Sequence, residues 1–188
     1  MRLLYKQRRL EELRDSQCHL CSLHKSTKHI CILGRGSLTA GVFLVGEAPG
    51  QAEEKYGKPF CGRAGKLLDS LIVKAGLAGL VYISNVCHCR PPDNRKPMDE
   101  EVETCWSYTV KEISVIQPHV VVLLGRVAMN ALGLDRSMRG DHYYDGKLKA
   151  QVISTWHPAY VLRRGGDSCR ELLEALRLAG RLVNEKDN

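Results

Sequence analysis

The chain has 188 residues, of which 44% are hydrophobic and 26% charged, which excludes a disordered or fibrous protein and predicts one globular domain over 1–188. Its 28 lysines and arginines exceed its 21 acidic residues by seven, which favours a polyanionic partner over the alternative of a mildly basic enzyme of small substrates. No apolar run approaches the ~18 residues of a membrane span, and the first residues are too charged for a signal peptide. We therefore expect a cytoplasmic protein, nucleoid-associated in a prokaryote, that does not bind membranes.

Apolar periodicity predicts strands that alternate with helices along most of the chain. In chain order, the pattern predicts a basic amphipathic helix over 2–14, a strand over 41–45, a helix over 64–75, a strand over 81–86, a helix over 99–116, a strand over 119–124, a helix over 125–132, a strand over 151–155 and a helix over 168–183. Such alternation predicts a parallel sheet covered by helices on both faces. Ligands of these folds bind beyond the carboxyl ends of the strands. Those ends are followed here by 46–50, 85–92, 125–126 and 156–160.

Eight cysteines without a secretion signal indicate metal or cluster ligation rather than a disulfide framework. Two pairs have suitable positions, one with C-x2-C spacing and one that joins a strand end to the following helix: Cys18 with Cys21, and Cys89 with Cys105. Four thiolates suit either zinc or a 4Fe–4S cluster, and their spacing does not choose between the two. Cys87 is a rival to Cys89. The alternative is that the cysteines are small buried hydrophobes, which is our prediction for Cys169.

Four side chains near the strand ends are candidates for chemistry, and each also has a structural interpretation. Glu47 is either a functional carboxylate at a strand tip or a solvated acid of a loop. Asn85 is either an amide that binds the polar groups of a ligand or a residue that forms a turn. His157, held by a following proline, is placed to donate a hydrogen bond to a developing anion, although a single histidine is more often structural. Phe60 is either an aromatic ring that stacks on a ligand or a side chain that packs in the hydrophobic core over the sheet. The segment 62–66 (GRAGK) lacks the P-loop pattern, so we expect no nucleotide cofactor.

Taken together, these segments resemble the motif blocks of the family 4 uracil-DNA glycosylases. The first block is similar to 46–54 (GEAPGQAEE) with 57–68 (GKPFCGRAGKLL), the second to 85–97 (NVCHCRPPDNRKP) and the third to 155–163 (TWHPAYVLR). The four paired cysteines resemble the 4Fe–4S ligands of that family in order and approximate spacing. The resemblance implies a three-layer α/β/α sandwich with a central, mainly parallel four-stranded sheet, to which the cluster ties the N-terminal segment. It also implies an enzyme that excises uracil from DNA.

The resemblance assigns a role to each matching position. Phe60 resembles the aromatic residue that stacks on the flipped base, and Asn85 resembles the amide that reads its polar edge. His157 resembles the donor to uracil O2, and Glu47 the motif carboxylate, which stabilises the sugar cation or orients water. The surrounding uracil-binding loop consists of Gly46, Ala48, Pro49 and Gly50.

The third block also resembles the segment that enters the duplex beside the emptied base position, 159–163 here. Basic residues there and elsewhere are expected to bind phosphates. The DNA-contact candidates are Arg63, Arg95, Ala159, Tyr160, Arg163, Arg164 and the N-terminal arginines. No motif lysine is placed as a Schiff-base nucleophile, so we expect a monofunctional enzyme that hydrolyses the N-glycosidic bond and leaves an abasic site. We also expect a monomer.

The chain departs from the family pattern at Trp156, Cys61 and Tyr56, which affects the shape of the predicted pocket. A better-known glycosylase family carries an aspartate where this chain has Ala48, so no dedicated water-activating acid is evident. Two alternatives follow. One is a lesion-binding protein of the same fold that has lost catalysis, and the other is a glycosylase of altered preference, for hypoxanthine or for thymine opposite guanine.

Overall fold

The strands that are rich in valine and leucine form the centre of one sheet, where they are covered on both faces. The computed structural model describes residues 2–14 and 17–186, so both ends of the predicted domain lie outside the described residues. The strands are β1 Arg35–Gly36, β2 Val42–Gly46, β3 Val81–Asn85, β4 Val120–Leu124, β5 His142–Asp145 and β6 Ala150–Thr155. The sheet order is β1-β3-β2-β4-β6-β5. The four predicted strands are therefore adjacent, and they run parallel, as expected.

The sheet has six strands rather than the four that the sequence predicts. The two additional strands are the edges, and both pair antiparallel, β1 with β3 and β5 with β6. β1 has two residues, which is too short for any alternation to be recognised. β5 is polar, and its His142 and Tyr144 are exposed, so it resembles a loop.

Seven α-helices lie in the part of the chain that the structure describes. They are α1 Arg2–Leu13, α2 Gln51–Tyr56, α3 Arg63–Lys74, α4 Asp99–Ile116, α5 Arg126–Ala131, α6 Pro158–Arg164 and α7 Asp167–Lys186. The five predicted helices are confirmed to within three residues at each end. α2 lies where no element is predicted from the sequence, and α6 lies where a loop is expected. Neither has the run of three buried apolar residues that marks the similarly short α5.

Alternate residues of the strands pack against opposite helical layers. Val42 and Leu44 of β2 pack with the layer that contains α3, α6 and α7, whereas Phe43 and Val45 pack with α1, α4 and α5. The period of two residues along a strand produces this division. It confirms the predicted three-layer α/β/α sandwich.

Lys6 attaches helix α1 to the core. Its side chain is buried, and its Nζ donates to the carbonyl oxygens of Ile116 at 2.6 Å and Leu38 at 3.1 Å. Ile116 is the last residue of α4, where the helix has unsatisfied carbonyls and partial negative charge. The ammonium group therefore caps α4. None of the helices in residues 2–14 and 17–186 combines the length and apolarity needed to cross a bilayer.

Candidate active site

A pocket of about 460 Å³ lies at the carboxyl ends of the parallel strands. Three of the four segments predicted to follow those ends border it, 46–50, 85–92 and 156–160. Gly125 and Arg126, the fourth segment, are not among the residues that line it. A larger cavity of about 980 Å³ lies at the opposite ends of the strands, beside Gly41 and Pro118, and contains none of the predicted site residues.

Gly46 brings Phe60 and Asn85 together at the buried side of this pocket. A Cβ atom on Gly46 would lie 2.5 Å from Asn85 Oδ1 and closer still to the ring of Phe60. Any side chain at position 46 would therefore displace both groups. Asn85 ends β3 next to Gly46 in register, and its side chain is 2% exposed, whereas that of Phe60 is 5% exposed.

A network centred on Arg35 holds Phe60 in an unusual backbone conformation. Phe60 has φ of 52°, in the left-handed region that side chains disfavour. Arg35 donates to the carbonyl oxygens of Pro59 at 3.0 Å and Phe60 at 3.2 Å, and it also pairs with Asp69 at 2.7 Å. No sequence pattern points to Arg35, because its position on an edge strand gives no sign of this contact.

His157, two residues beyond the end of β6, has a defined protonation state. Its Nδ1 accepts a hydrogen bond from the backbone N–H of Ala159 at 3.1 Å, so the ring proton lies on Nε2. Burial and, to a lesser extent, the positive charge of Arg163 lower the pKa of His157 to about 4. The imidazole is therefore neutral at pH 7. Its ring centroid lies 6.0 Å from that of Phe60.

Gly125 lets His157 approach the neighbouring strand end. Its φ of +87° suits glycine, and a Cβ atom there would lie 2.8 Å from the Cβ of His157. The predicted segment 125–126 thus supports the pocket from behind rather than lining it.

Glu47 is a partly buried carboxyl group among positive charges. Burial raises its pKa, while Lys96, Arg126 and Arg163 act in the opposite direction. A carboxylate in this position is available to a developing positive charge in the pocket.

Glu53 joins the two loops that carry Glu47 and Phe60. Its Oε2 accepts from Gly50 N–H at 3.1 Å, and its Oε1 accepts from Gly62 N–H at 2.8 Å. Glu53 is the third residue of α2, and its side chain reaches back to the backbone N–H of the N-cap residue Gly50, which is one half of a capping box. Glu53 is not among the residues predicted from the sequence, although the three-residue spacing from Gly50 is the signal that identifies it.

Glu54 connects the pocket to the cysteine-rich segment. The side chain is buried and accepts from Lys28 N–H at 2.9 Å and from the guanidinium of Arg90 at 2.8 Å. The bond from Arg90 is the largest cause that lowers the pKa of Glu54. The carboxylate therefore bridges the segment after Cys21 and the loop after β3.

The four predicted cysteine ligands lie close enough to influence one another. Burial raises the pKa of the Cys21 thiol, and Cys105 and Cys18 add to this effect. Burial likewise raises the pKa of Cys89 to about 12, with contributions from Cys105 and Cys21. Within the described residues, no group of three or more Cys, His, Asp or Glu is already arranged to hold a metal ion.

The surroundings of these sulfur atoms suit thiolate ligands. Cys31 N–H donates to Cys89 Sγ at 3.5 Å, and His88 N–H donates to Cys105 Sγ at 3.3 Å. The hydroxyl of Tyr108 donates to Cys18 Sγ at 3.8 Å. Hydrogen bonds of this kind commonly surround the sulfurs of iron–sulfur clusters.

The remaining cysteines have different surroundings. Cys87 is buried, contacts the carbonyl oxygen of Glu101 at 3.8 Å, and is the first cause that raises the pKa of Cys105. It therefore remains the rival of Cys89 as a ligand. Cys169 packs against the apolar layer of α3, α6 and α7, as predicted for a small hydrophobe.

The predicted DNA-contact residues are divided by the structure. Ala159, Tyr160 and Arg163 line the pocket, but they belong to α6 rather than to the predicted loop. Arg95 also borders the pocket, although its guanidinium is held by both oxygens of Glu101 at 2.7 and 2.8 Å. The other candidates do not line the pocket. Arg63 and Arg164 are exposed, Arg8 and Arg9 pair with Glu12, and the side chain of Arg2 lies outside the described part.

Comparison with known proteins agrees with this geometry. The uracil DNA glycosylase superfamily matches residues 33–179. A type-4 uracil-DNA glycosylase of Archaeoglobus fulgidus is 44% identical over 159 residues, which are 78% of this chain and 79% of the relative. Those of Pyrobaculum aerophilum and Thermotoga maritima are 39% and 37% identical, and cover 78% and 85% of this chain and 80% and 85% of their own lengths. The chain therefore belongs to the type-4 branch of the uracil DNA glycosylase superfamily.

Proposed function

We propose that this protein is a DNA repair glycosylase that flips deoxyuridine out of DNA and hydrolyses its N-glycosidic bond, leaving an abasic site. The observation that carries the proposal is the neutral His157 in the pocket. Its Nδ1 is occupied by the Ala159 N–H, so Nε2–H is the donor that remains for a ligand. The type-4 uracil-DNA glycosylases that resemble the chain support this proposal.

The buried end of the pocket recognises the base. A flat pyrimidine stacks on the ring of Phe60, while the Asn85 amide, with one donor and one acceptor, pairs with O4 and N3–H of uracil. The close approach of both groups to Gly46 restricts their orientation. Cytosine presents the opposite pattern of donor and acceptor and is therefore disfavoured.

His157 stabilises the departing base. Cleavage of the bond leaves negative charge on uracil, part of it on O2, where a fixed N–H donor is typically worth about 10²–10³ in rate. The neutral imidazole already carries the Nε2 proton that it donates, so it does not have to be protonated first. The positive charge of Arg163, which acts on the same ring, adds to stabilisation of the anion.

Glu47 acts on the other product of cleavage, the positively charged sugar. We propose that its carboxylate stabilises this cation electrostatically. Burial raises the pKa of Glu47, but three positive side chains oppose that rise and favour the ionised form. Ala48, the next residue, offers no second acid to activate water.

Helix α6 supports extrusion of the nucleotide. Leu162 is 44% exposed next to Arg163 and Arg164, which places an apolar side chain among phosphate-binding ones. Inserting such a side chain into the base stack offsets part of the few kcal/mol that flipping costs. The net charge of +7 adds attraction to DNA that does not depend on sequence.

A 4Fe–4S cluster fits the cysteine donor set, and we propose that it is held by Cys18, Cys21, Cys89 and Cys105. When bound, the cluster supplies a structural cross-link between the N-terminal segment, the end of β3 and α4. The Glu54 bridge from Lys28 to Arg90 strengthens the same connection.

An incision assay tests the proposed function. A single-stranded oligonucleotide that carries one uracil is incubated with the purified protein and then cleaved at abasic sites with alkali. We expect cleavage at the uracil position, and none with the matched thymine oligonucleotide. No abasic product from uracil would support the lesion-binding alternative. A product only from a matched oligonucleotide that carries hypoxanthine would support altered preference.

A further inference from the structure

Three side chains stack on one another beside the mouth of the pocket. The rings of Trp156 and Tyr160 are 4.4 Å apart between centroids and within 8° of parallel. The guanidinium carbon of Arg139 lies 3.6 Å from the centroid of the Trp156 ring. Both groups cannot occupy one face at these distances, so they cover opposite faces of the indole.

The indole is therefore fully engaged within the protein. Besides its two covered faces, its Nε1–H donates to Glu171 Oε2 at 2.7 Å. Trp156 has no face left for a ligand and supports Tyr160 from behind. Tyr160, in contrast, has one face against Trp156 and lines the pocket together with Arg163, one helical turn further along α6.

The pocket has more room than one pyrimidine base needs. Its volume of about 460 Å³ lies within the ~300–1,000 Å³ of sites that hold drug-sized ligands. Phe60 and Asn85 are almost wholly buried and form its deep end, whereas Tyr160 is half-buried and Arg163 is exposed at its mouth. A base bound at the deep end leaves the Tyr160 ring for a neighbouring group.

We propose that the open face of Tyr160 is a stacking subsite for the nucleobase adjacent to the uracil on the same strand, an inference that rests on the proposed function. An aromatic ring stacks with any base, so the subsite tolerates every sequence, and Arg163 beside it suits the phosphate between the two nucleotides. A base that occupies the subsite has left its own stack, which favours single-stranded or frayed DNA. Arg139 and Trp156 keep the ring in place.

Binding of a substrate that cannot be cleaved tests the subsite without relying on catalysis. Single-stranded oligonucleotides carry 2′-fluoro-2′-deoxyuridine, with either normal neighbours or an abasic analogue on the 5′ or the 3′ side, and Kd is measured by fluorescence anisotropy. We expect the abasic analogue on one of the two sides to weaken binding to the native chain about tenfold. This comparison of oligonucleotides uses only the native chain and needs no substituted protein.

The coupling between Tyr160 and the base identifies the subsite. Tyr160→Leu should weaken binding of the intact oligonucleotide about tenfold and add no further loss with the abasic analogue, whereas Tyr160→Phe should retain the native behaviour. Tyr144→Leu is the matched control, since Tyr144 is 60% exposed on the edge strand β5 and does not line the pocket. Its Kd values should equal those of the native chain.

Three results overturn the subsite: neither abasic analogue weakens binding, the losses from Tyr160→Leu and from the analogue multiply, or none of the oligonucleotides binds. The incision assay separates this inference from the proposed function. If Tyr160 and the adjacent base are coupled but uracil is not excised, the subsite is retained and the proposed activity is rejected. If uracil is excised without such coupling, the activity is retained and the subsite is rejected.

Discussion

The backbone N–H of Ala159 donates to Nδ1 of His157 at 3.1 Å, and this one contact fixes which ring nitrogen can serve the ligand. Proline at position 158 begins α6 and places the Ala159 N–H, one of the unpaired donors of the first helical turn, beside the ring. A protonated imidazole would set two donors against each other. The first turn of α6 therefore stabilises the neutral ring.

We predict that His157 stays neutral until the pH falls to about 4. Because its pKa is lowered from 6.5, the folded protein binds this proton less tightly than the unfolded chain does, and protonation appears only in strong acid. Titration followed by ¹⁵N NMR of the imidazole nitrogens checks this, with the urea-unfolded chain as the control near pH 6.5. A folded-state midpoint of 6 or higher contradicts the assignment.

Glu47 should produce the acid limb of the pH profile. Burial raises its pKa above 4.5, so the carboxylate is lost before His157 is protonated as the pH falls. We expect the single-turnover rate of uracil excision to fall as the pH is lowered, with a midpoint above pH 4.5. Glu47→Gln should slow excision about 10²-fold at pH 7 and remove this limb. Glu103→Gln, on the exposed face of α4, is the control, and equal rates for the two variants would exclude Glu47 from the mechanism.

Removal of single cysteines tests the cluster. Protein purified without oxygen should be yellow-brown and contain iron and acid-labile sulfide in equal amounts. Cys89→Ala should lower both contents and the yield of folded protein, whereas Cys169→Ala should change neither. Colourless protein with stoichiometric zinc rejects the iron–sulfur proposal. If Cys87→Ala is the damaging change and Cys89→Ala is harmless, the ligand lies on the other face of the strand end.

The sequence was sufficient to predict the central sheet and the residues that meet at its edge. Buried strands such as β2 and β4 have apolar runs that no other element explains, and the carboxyl ends of parallel strands must converge. Glu47, Asn85 and His157 each lie at the carboxyl end of such a strand or just after it, so their meeting in one pocket was predictable. The edge strands β1 and β5 and the short helices α2 and α6 were not, because few of their residues are buried.

The supporting contacts were also beyond the sequence. Arg35 lies 24 residues before Pro59, and only the folded chain shows that its guanidinium holds the turn around Phe60. The stack of Arg139 on Trp156 depends in the same way on a distant loop that reaches the end of β6. Local periodicity carries no information about such pairs.

Glu53 should stabilise the two pocket loops. Glu53→Gln retains the size of the side chain but leaves one of the two glycine N–H groups without its acceptor, so we expect the free energy of unfolding to fall by about 1–2 kcal/mol. We also expect weaker binding of uracil-containing DNA, because Glu47 and Phe60 lose their relative placement. Urea unfolding and anisotropy measure these effects, with the exposed Glu185→Gln as control. Unchanged stability and affinity would show that the loops are held elsewhere.

Asn85 should decide between uracil and cytosine. Asn85→Asp retains the shape but loses the N–H donor to uracil O4, so uracil excision should fall, while a protonated aspartic acid accepts from the cytosine amino group and donates to N3. Cytosine release should therefore rise above the native level. Asn85→Ala should lose uracil excision without gaining cytosine release, since unpaired polar groups cost about 1–3 kcal/mol each. Single-turnover excision on matched U and C oligonucleotides measures both, with Asn130→Asp, exposed on α5, as control. Native rates in Asn85→Ala would show that Asn85 only forms the turn and that another group reads the base.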